Sequence, residues 1–432
     1  MVAARQSGRG FGILLSTAST GFDQEVPPMI VLVADKFPAA GLAELRSAGA
    51  EVLYEPDAKG DALTETVRAS GAEVLVVRST EVPAAALRAG RLGLVVRAGA
   101  GYNTIDVATA SELGIYVSNC PGKNSIAVAE LALALLLALD RRVVDNAADL
   151  RRGVWNKKEY GQANGLFGRT LGVVGTGSIG REVAARGRAF GMRVVAWSRS
   201  LSDDAAGAMG VERLDTPVAV AAAADAVSIH LALKPETRGL VGGDFFAAMK
   251  PGALFVNTSR AEVVDEAALL RAVREKKVRA GLDVFAGEPA GGTGKVESEL
   301  FAEPGIYGTH HIGASTEQAQ QAIADETVRI VREYVGSGRV PNCVNLAKRT
   351  PATHLLVVRH RDRVGVLAHV FGSLRAAGIN AEQSENIVFD GAQAAMARIQ
   401  LDQEPQAATL EEIRAGSADI LDLKLVEIPP SS

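Results

Sequence analysis

The chain has 432 residues, which at about 150 residues per domain makes room for two to four domains. Its 46 Lys and Arg against 50 Asp and Glu leave a formal net charge of −4, and such a balance excludes a broad nucleic-acid surface, which needs clustered positive charge. Two cysteines, Cys120 and Cys343, exclude a disulfide scaffold and point to a cytoplasmic compartment, and no Cys or His pair has zinc-site spacing, so no metal is expected.

Residues 1–28 are polar and lack the apolar stretch of about 7–15 residues that a secretory signal needs. They are expected to form a disordered tail, with the fold starting near Met29. From there short apolar runs alternate with helical patterns. Strands are predicted at 29–34, 51–54, 73–77, 94–97 and 115–118, with helices at 42–48, 62–69, 84–88 and 107–113 between them. Fully apolar strands alternating with helices mean a parallel sheet covered on both faces. One long helix is predicted over 125–152, linking two lobes. Its most apolar part, 126–139, contains Glu130 and falls short of the roughly 20 residues that span a bilayer, so no membrane segment is expected.

A second alternating set has strands at 172–174, 193–197, 226–230, 253–257, 279–284 and 306–309. An amphipathic helix at 316–335 is expected to cross back to the first lobe, and 336–353, with its Gly, Pro and Asn, reads as a linker. The final stretch has strands at 354–359, 380–389, 393–401 and 420–428 and helices at 365–377 and 409–415. That order is βαββαβ, the ferredoxin-like unit. The predicted domains are 29–124 joined with 314–345, then 125–313, then 352–428.

Gly175-Thr176-Gly177-Ser178-Ile179-Gly180 follows a predicted strand and opens a predicted helix. In that context G-x-G-x-x-G marks a Rossmann dinucleotide-binding turn. The first Gly makes the tight turn, the second lets the backbone approach a pyrophosphate, and the third lets helix pack on strand. Free N–H groups at the helix start would meet the phosphates. An acidic residue for the ribose is expected at the end of the next strand. The residues there are Ser198 and Arg199 instead. Ser198 can bond a ribose and Arg199 can neutralise a 2′-phosphate, so NADP stands beside NAD as the expected cofactor, the alternative being that Arg199 is a solvated loop residue.

Three polar segments follow late strands: Asn257 to Arg260, Asp283 to Glu288, and Thr309 to Thr316. Ligands of open parallel sheets bind outside the carboxyl ends of strands. An Arg, a carboxylate and a His therefore converge beside the cofactor. With the glycine turn, these segments resemble the D-isomer-specific 2-hydroxyacid dehydrogenases over nearly the whole of 29–428. The resemblance implies an α/β fold with a Rossmann NAD(P) domain, a flavodoxin-like substrate domain and hydride transfer. It makes Arg260, Glu288 and His311 catalytic, and assigns Thr258, Ser259, Asp283, Gly313 and Ala314 to cofactor binding. His310 stands where the family has Pro, and Ala261 where it has Gly; Ala261 would be strained if its backbone needs φ above zero. Histidine suits the proton transfer because an imidazole ordinarily titrates near neutrality. A carboxylate at Glu288 would orient it, and Arg260 offers a fork for a substrate carboxylate and carbonyl. His310 reads as a loop residue, because the His-Ile-Gly-Ala-Ser-Thr frame starts at His311.

Within the family, Arg78-Ser79-Thr80 and Gly153-Val154-Trp155-Asn156-Lys157 are similar to members acting on D-3-phosphoglycerate. This implies oxidation to 3-phosphohydroxypyruvate, the first step of L-serine biosynthesis. Arg78 would face the substrate phosphate, with Lys157 near it or supplied by a neighbouring subunit. Ala100 and Gly101, in Arg97-Ala98-Gly99-Ala100-Gly101-Tyr102, would offer backbone N–H groups to the substrate carboxylate. Leu231-Ala232-Leu233 departs from the family's polar turn, which puts one cofactor contact in doubt. The C-terminal unit resembles an ACT domain, a small-molecule sensor, with His360, Asp362 and Asn380 at positions that contact L-serine across a domain pair. The alternative is a dimerisation module without a ligand. A homodimer or homotetramer is expected. The rival functions are a hydroxypyruvate or glyoxylate reductase and a catalytically silent NAD-sensing co-repressor.

Overall fold

The computed structural model describes residues 28–289, 293–347 and 349–429. The predicted N-terminal tail lies outside the described residues except for Pro28. Four-residue strands, wholly apolar in β1 and β3, build the first sheet: β1 (Ile30–Val33), β2 (Glu51–Tyr54), β3 (Val74–Val77), β4 (Leu94–Arg97) and β5 (Tyr116–Asn119). All are parallel, in the order β2-β1-β3-β4-β5, which is the flavodoxin-like order. Every side chain of β3 is buried, as a central strand covered on both faces requires. Leu32, Leu75 and Val95 face one core with Leu63 and Leu87. Val33, Val74 and Val96 face the other with Ile323, Val328 and Val331. Those last three belong to the helix Glu317–Ser337, so the chain does return to the first sheet.

The second sheet holds β6 (Thr170–Val174), β7 (Arg193–Trp197), β8 (Glu212–Arg213), β9 (Ala226–Ile229), β10 (Leu254–Asn257), β11 (Arg279–Leu282) and β12 (Ile306–Gly308). All are parallel, in the order β12-β11-β10-β9-β6-β7-β8. The unpredicted β8 consists of two exposed charged residues, which carry no apolar signal. No helix among the described residues is long and apolar enough to cross a membrane.

The predicted helix 125–152 is two helices, Ser125–Arg141 and Val143–Arg151. Arg142 breaks it with a left-handed backbone, φ 52, a conformation that costs about 1–2 kcal/mol. Its guanidinium reaches Asp145 and Glu159 and lies 5.0 Å from the Tyr160 ring centroid. The first helix buries most of its residues and the second buries none. The amphipathic signal ends where the chain bends.

The linker predicted at 336–353 is also partly built into the first sheet. Cys343 bridges Ser118, the Val344 N–H donates to the Val117 carbonyl at 2.8 Å, and Asn345 accepts from the Val117 N–H at 2.8 Å. Asn342 donates 2.7 Å to Glu326, a buried carboxylate that also holds Arg329 at 2.6 Å and Lys123 at 3.2 Å. The Arg329 bond, followed by those of Asn342 and Lys123, outweighs burial and draws the Glu326 carboxyl down to about 2. A depressed carboxyl stabilises the fold above its ordinary value of 4.5, and this contribution is lost as pH falls toward 2. Glu326→Gln is therefore expected to flatten the acid side of a melting-temperature profile. An acid limb as steep as in the parent would contradict this.

The chain divides into two units between Asn345 and Leu346. The second has β13 (His354–Arg361), β14 (Ala381–Val388), β15 (Ala394–Leu401) and β16 (Ile420–Glu427), antiparallel in the order β14-β15-β13-β16. Helices Val366–Ala376 and Ala407–Ala415 complete the βαββαβ order. Leu356, Val358, Val370, Leu374, Ile399 and Ile413 form its core.

Candidate active site

The glycine turn leaves β6 and enters the helix Ser178–Ala189, so Ser178 and Ile179 lie in its first turn. A side chain on Gly180 would overlap the Gly175 carbonyl, and one on Gly175 would overlap the His230 carbonyl. Gly177 caps the helix and nothing lies within 4 Å of where its Cβ would stand. Two glycines thus close the turn on itself while the middle one faces open space, as a turn cradling a pyrophosphate must. Gly177→Ala is expected to fold like the parent and weaken dinucleotide binding. Gly180→Ala is expected to lower the melting temperature by several degrees, since overpacking costs about 1–3 kcal/mol. Equal melting temperatures for the two variants would contradict this.

Beside this turn, the ends of β9 and β10 carry two buried polar atoms without hydrogen-bond partners, His230 Nδ1 and Thr258 Oγ1. His230 keeps some exposure as a residue, but its Nδ1 is buried and its Nε2 lies 2.8 Å from Ser228 Oγ; burial of the ring pushes the imidazole down to about 3, so the ring is neutral. Unpaired buried polar atoms at a strand end fit a polar ligand. The turn and these atoms together fit a dinucleotide. At the end of β7, Ser198 and Arg199 stand without a carboxylate of their own; Arg199 is exposed, 3.9 Å from Glu236.

Asn257, the last residue of β10, shapes the next turn. Its Oδ1 accepts from the Ser259 N–H at 3.0 Å and the Ser259 hydroxyl at 2.7 Å, and its Nδ2 donates to the Arg260 carbonyl at 2.9 Å. The Arg260 guanidinium lies against Gly101, where a Cβ would overlap it. The second sheet thereby meets the loop after β4 of the first. Burial lowers the Arg260 pKa, while Glu262 and Glu288 oppose that. Ala261 opens a short 3-10 turn and is not among the residues with φ above zero, so the strain expected there is absent.

His311 Nδ1 lies 2.6 Å from Glu288 Oε2, and Glu288 Oε1 accepts from the Phe285 N–H at 2.8 Å. Burial alone would raise the Glu288 carboxyl. The bonds from His311 and the Phe285 N–H, with the charges of His311 and Arg260, hold it below the usual range. His311 has φ 51, a strained conformation for a residue other than glycine. Asp283, just beyond β11, brackets that kink: its carboxylate accepts from Thr309 Oγ1 at 2.6 Å and from the Ile312 and Gly313 N–H groups at 2.9 Å. Asp283, expected to bind cofactor, thus folds the loop carrying His311. Gly313 and Ala314 lie on the same loop, ahead of the helix Glu317–Ser337. His310 is exposed and makes no side-chain hydrogen bond among the described residues.

Residues the sequence reading did not single out complete the site. Arg97 ends β4, half-buried, with its Nε buried and unpartnered. Burial, aided by the charges of Arg260 and Arg78, pushes it down to about 10. Arg97 lies against Gly99 and Arg260 against Gly101, and the charges of Arg260 and Arg78 both act on Arg97. The loop 98–101 is anchored where Asn119 donates 2.6 Å to the Ala100 carbonyl. Asp35 holds the turn of Arg78. Its signal was available: it is an acid directly after an apolar strand.

Lys157 does not join the site of its own chain. It opens the short helix Lys157–Tyr160, whose Glu159 and Tyr160 pack on Arg142. Arg142 holds Asp145, which lies 3.9 Å from Arg279, the first residue of β11. That is the N-terminal edge of the sheet, opposite Arg260. In the second unit, His360 is buried, with Nδ1 2.7 Å from the Arg361 carbonyl and Nε2 3.2 Å from Asn386 Oδ1. Asp362 is exposed beyond the end of β13. Asn380 precedes Ala381, which lies level with His354 at the other end of β13, roughly 20 Å away. Within one chain, then, Asn380 does not meet His360 and Asp362.

Comparison with known proteins agrees with this geometry. The family described as "D-isomer specific 2-hydroxyacid dehydrogenase, NAD binding domain" matches residues 133–313. A D-3-phosphoglycerate dehydrogenase of Methanocaldococcus jannaschii is 37% identical over 319 residues, 73% of this chain and 59% of the relative. This chain thus spans under two thirds of that protein's length. A hydroxypyruvate reductase of Thermotoga maritima is 40% identical over 267 residues, 61% of this chain and 85% of the relative. The structure of a D-lactate dehydrogenase from Aquifex aeolicus complexed with NAD and lactic acid has a TM-score of 0.63 and 26% identity, covering 74% of this chain and 100% of that one. With the glycine cradle, the Glu288–His311 pair and these matches in agreement, the chain belongs to the D-isomer specific 2-hydroxyacid dehydrogenase family, and residues 133–313 are its NAD binding domain.

Proposed function

We propose that this chain is a D-3-phosphoglycerate dehydrogenase that interconverts D-3-phosphoglycerate and 3-phosphohydroxypyruvate. The observation that carries the reading is the cluster of Arg78, Arg97 and Arg260 beside the His311–Glu288 pair. A substrate with one carboxylate needs one guanidinium fork. Three guanidinium groups, one of them with a buried, unpaired nitrogen, suit a substrate with a phosphate as well. The phosphoglycerate dehydrogenase relative agrees with this.

Gly175, Gly177, Gly180, Ser178 and Ile179 would hold the pyrophosphate of NAD, with Thr258 and Ser259 beside it. Bound there, the cofactor supplies the hydride acceptor. Arg260 pairs with the substrate carboxylate, and the N–H groups of Ala100 and Gly101 assist. Arg78 and Arg97 hold the phosphate. With Nδ1 turned to Glu288, His311 has Nε2 free for the substrate hydroxyl. In oxidation Nε2 takes the hydroxyl proton, and the imidazolium so formed is balanced by the Glu288 carboxylate. In reduction the same proton returns to the carbonyl oxygen.

Hydroxypyruvate or glyoxylate reduction is the second reading, favoured by the hydroxypyruvate reductase relative and by the distance of Lys157 from its own site. The paired Glu288 and His311 argue against a silent co-repressor. Arg199 supports use of NADP beside NAD. Exposed Trp155 and Phe167, with Val143, Val144 and Leu150, support a homo-oligomer in which a neighbour supplies Lys157. The second unit is read as an ACT-like sensor for L-serine, which would tie the enzyme to serine biosynthesis; its pocket would need Asn380 from another copy. A cytoplasmic location fits the cysteine usage. One panel tests these readings: 3-phosphohydroxypyruvate, hydroxypyruvate and glyoxylate, each with NADH and NADPH, with and without L-serine. Preference for the phosphorylated acid supports the reading. Preference for either smaller acid transfers it to the second, and no turnover on any favours a binding module.

A further inference from the structure

Asp35 lies two residues beyond β1, after Ala34, whose N–H still donates to the Val76 carbonyl of β3 at 3.0 Å. Its side chain is buried. Oδ2 accepts three consecutive N–H groups, from Arg78 at 2.7 Å, Ser79 at 3.0 Å and Thr80 at 2.9 Å. Oδ1 accepts from the Ser79 hydroxyl at 3.1 Å. Thr80 ties the same turn back to β1 by donating to the Ala34 carbonyl at 3.2 Å. Three amides converging on one oxygen form an anion nest, here filled by a residue of the chain itself. It fixes the backbone at the carboxyl end of β3, where Arg78 leaves the sheet.

The guanidinium of Arg78 is half-buried and makes no ion pair among the described residues. Its direction is therefore set by the turn beneath it. The Asp35 charge acts on both Arg78 and Arg97. Its oxygens already accept four bonds, about what a carboxylate can take, so Asp35 has no capacity left for substrate. Burial opposes its ionisation, but the bonds from the 78–80 turn outweigh that and keep the carboxyl below the ordinary range.

We propose that Asp35 is a positioning residue: it aims Arg78 from behind and so sets the preference of this site for phosphorylated over unphosphorylated 2-oxo acids. The inference rests on the phosphoglycerate reading of the site. It is separable from that reading because Arg260 and the 98–101 loop, which would hold the carboxylate shared by both kinds of acid, take no bond from Asp35.

The test is steady-state kinetics on the whole chain for Asp35→Ala, Asp35→Asn, Arg78→Ala and the two double variants that combine each Asp35 change with Arg78→Ala, using 3-phosphohydroxypyruvate and hydroxypyruvate. Asp35→Ala should raise KM for the phosphorylated acid about tenfold, the loss of one charge-assisted bond. It should leave kcat, and KM for hydroxypyruvate, within about twofold. Asp35→Asn, which keeps the shape and one acceptor oxygen, should retain most of the preference; it also serves if the alanine variant does not fold, its effect then being compared with and without Arg78. In the Arg78→Ala background either change at Asp35 should add nothing. An equal loss on both acids, or an undiminished effect without Arg78, would overturn the inference. A parent enzyme without preference for the phosphorylated acid removes the underlying reading together with it. A parent preference that both Asp35 variants leave intact removes the inference alone.

Discussion

Replacing His311 with Asn should lower kcat by about 10²–10⁴-fold, the share a positioned acid–base group contributes, with little change in KM. Asn is the informative substitution because His311 sits at φ 51, in the left-handed region that Asn tolerates better than most residues. The Asp283 bracket around Thr309, Ile312 and Gly313 should survive it. What is lost is the nitrogen opposite the one that meets Glu288 at 2.6 Å. His310→Ala should leave turnover within about twofold, since that exposed side chain holds nothing in the loop. The reverse pair of results would move the base to His310. An unchanged kcat for His311→Asn would remove the Glu288–His311 pair from the chemistry.

Arg260→Ala should lower kcat/KM on the order of 10²–10³-fold for phosphorylated and unphosphorylated acids alike. The Arg260 side chain is half-buried, its turn is folded by Asn257, and it lies on the backbone of Gly101, where the two sheets meet. It would hold the carboxylate that every 2-hydroxy acid carries. Arg260→Lys should recover little, because an ammonium lacks the planar fork. This pattern separates Arg260 from Asp35, whose loss should fall on the phosphorylated acid. A loss under about tenfold on either substrate would contradict the role given to Arg260.

What could be read from the sequence was local. The glycine turn announces itself because Gly175 and Gly180 each answer a contact within a few residues or one strand away, while Gly177 leaves the space between them open. Glu288 and His311 were legible because each follows a strand of one parallel sheet, and such strand ends meet. The sheets were legible because buried parallel strands are continuous apolar runs. The rest depended on distant partners. The break at Arg142 is not announced in the sequence, since two of its three partners, Glu159 and Tyr160, come a helix later. Cys343 looked like linker until its pairing with Ser118, more than two hundred residues earlier, was visible. Arg97 was one basic residue in a glycine loop; only folding sets it beside Arg78 and Arg260 without a carboxylate of its own. His360 finds Asn386 rather than Asn380 because the pairing of β13 and β14 with β15 between them sets Val388 level with His360 and Ala381 level with His354, whatever the proximity in sequence.

The most direct test of the account is one product analysis. The chain is given 3-phosphohydroxypyruvate and NADH carrying deuterium at both C4 positions of the nicotinamide, and the product is examined by NMR. The account predicts D-3-phosphoglycerate with one deuterium at C2, formed by the parent and lost in His311→Asn. Product without deuterium, an L product, or equal formation by His311→Asn would contradict it.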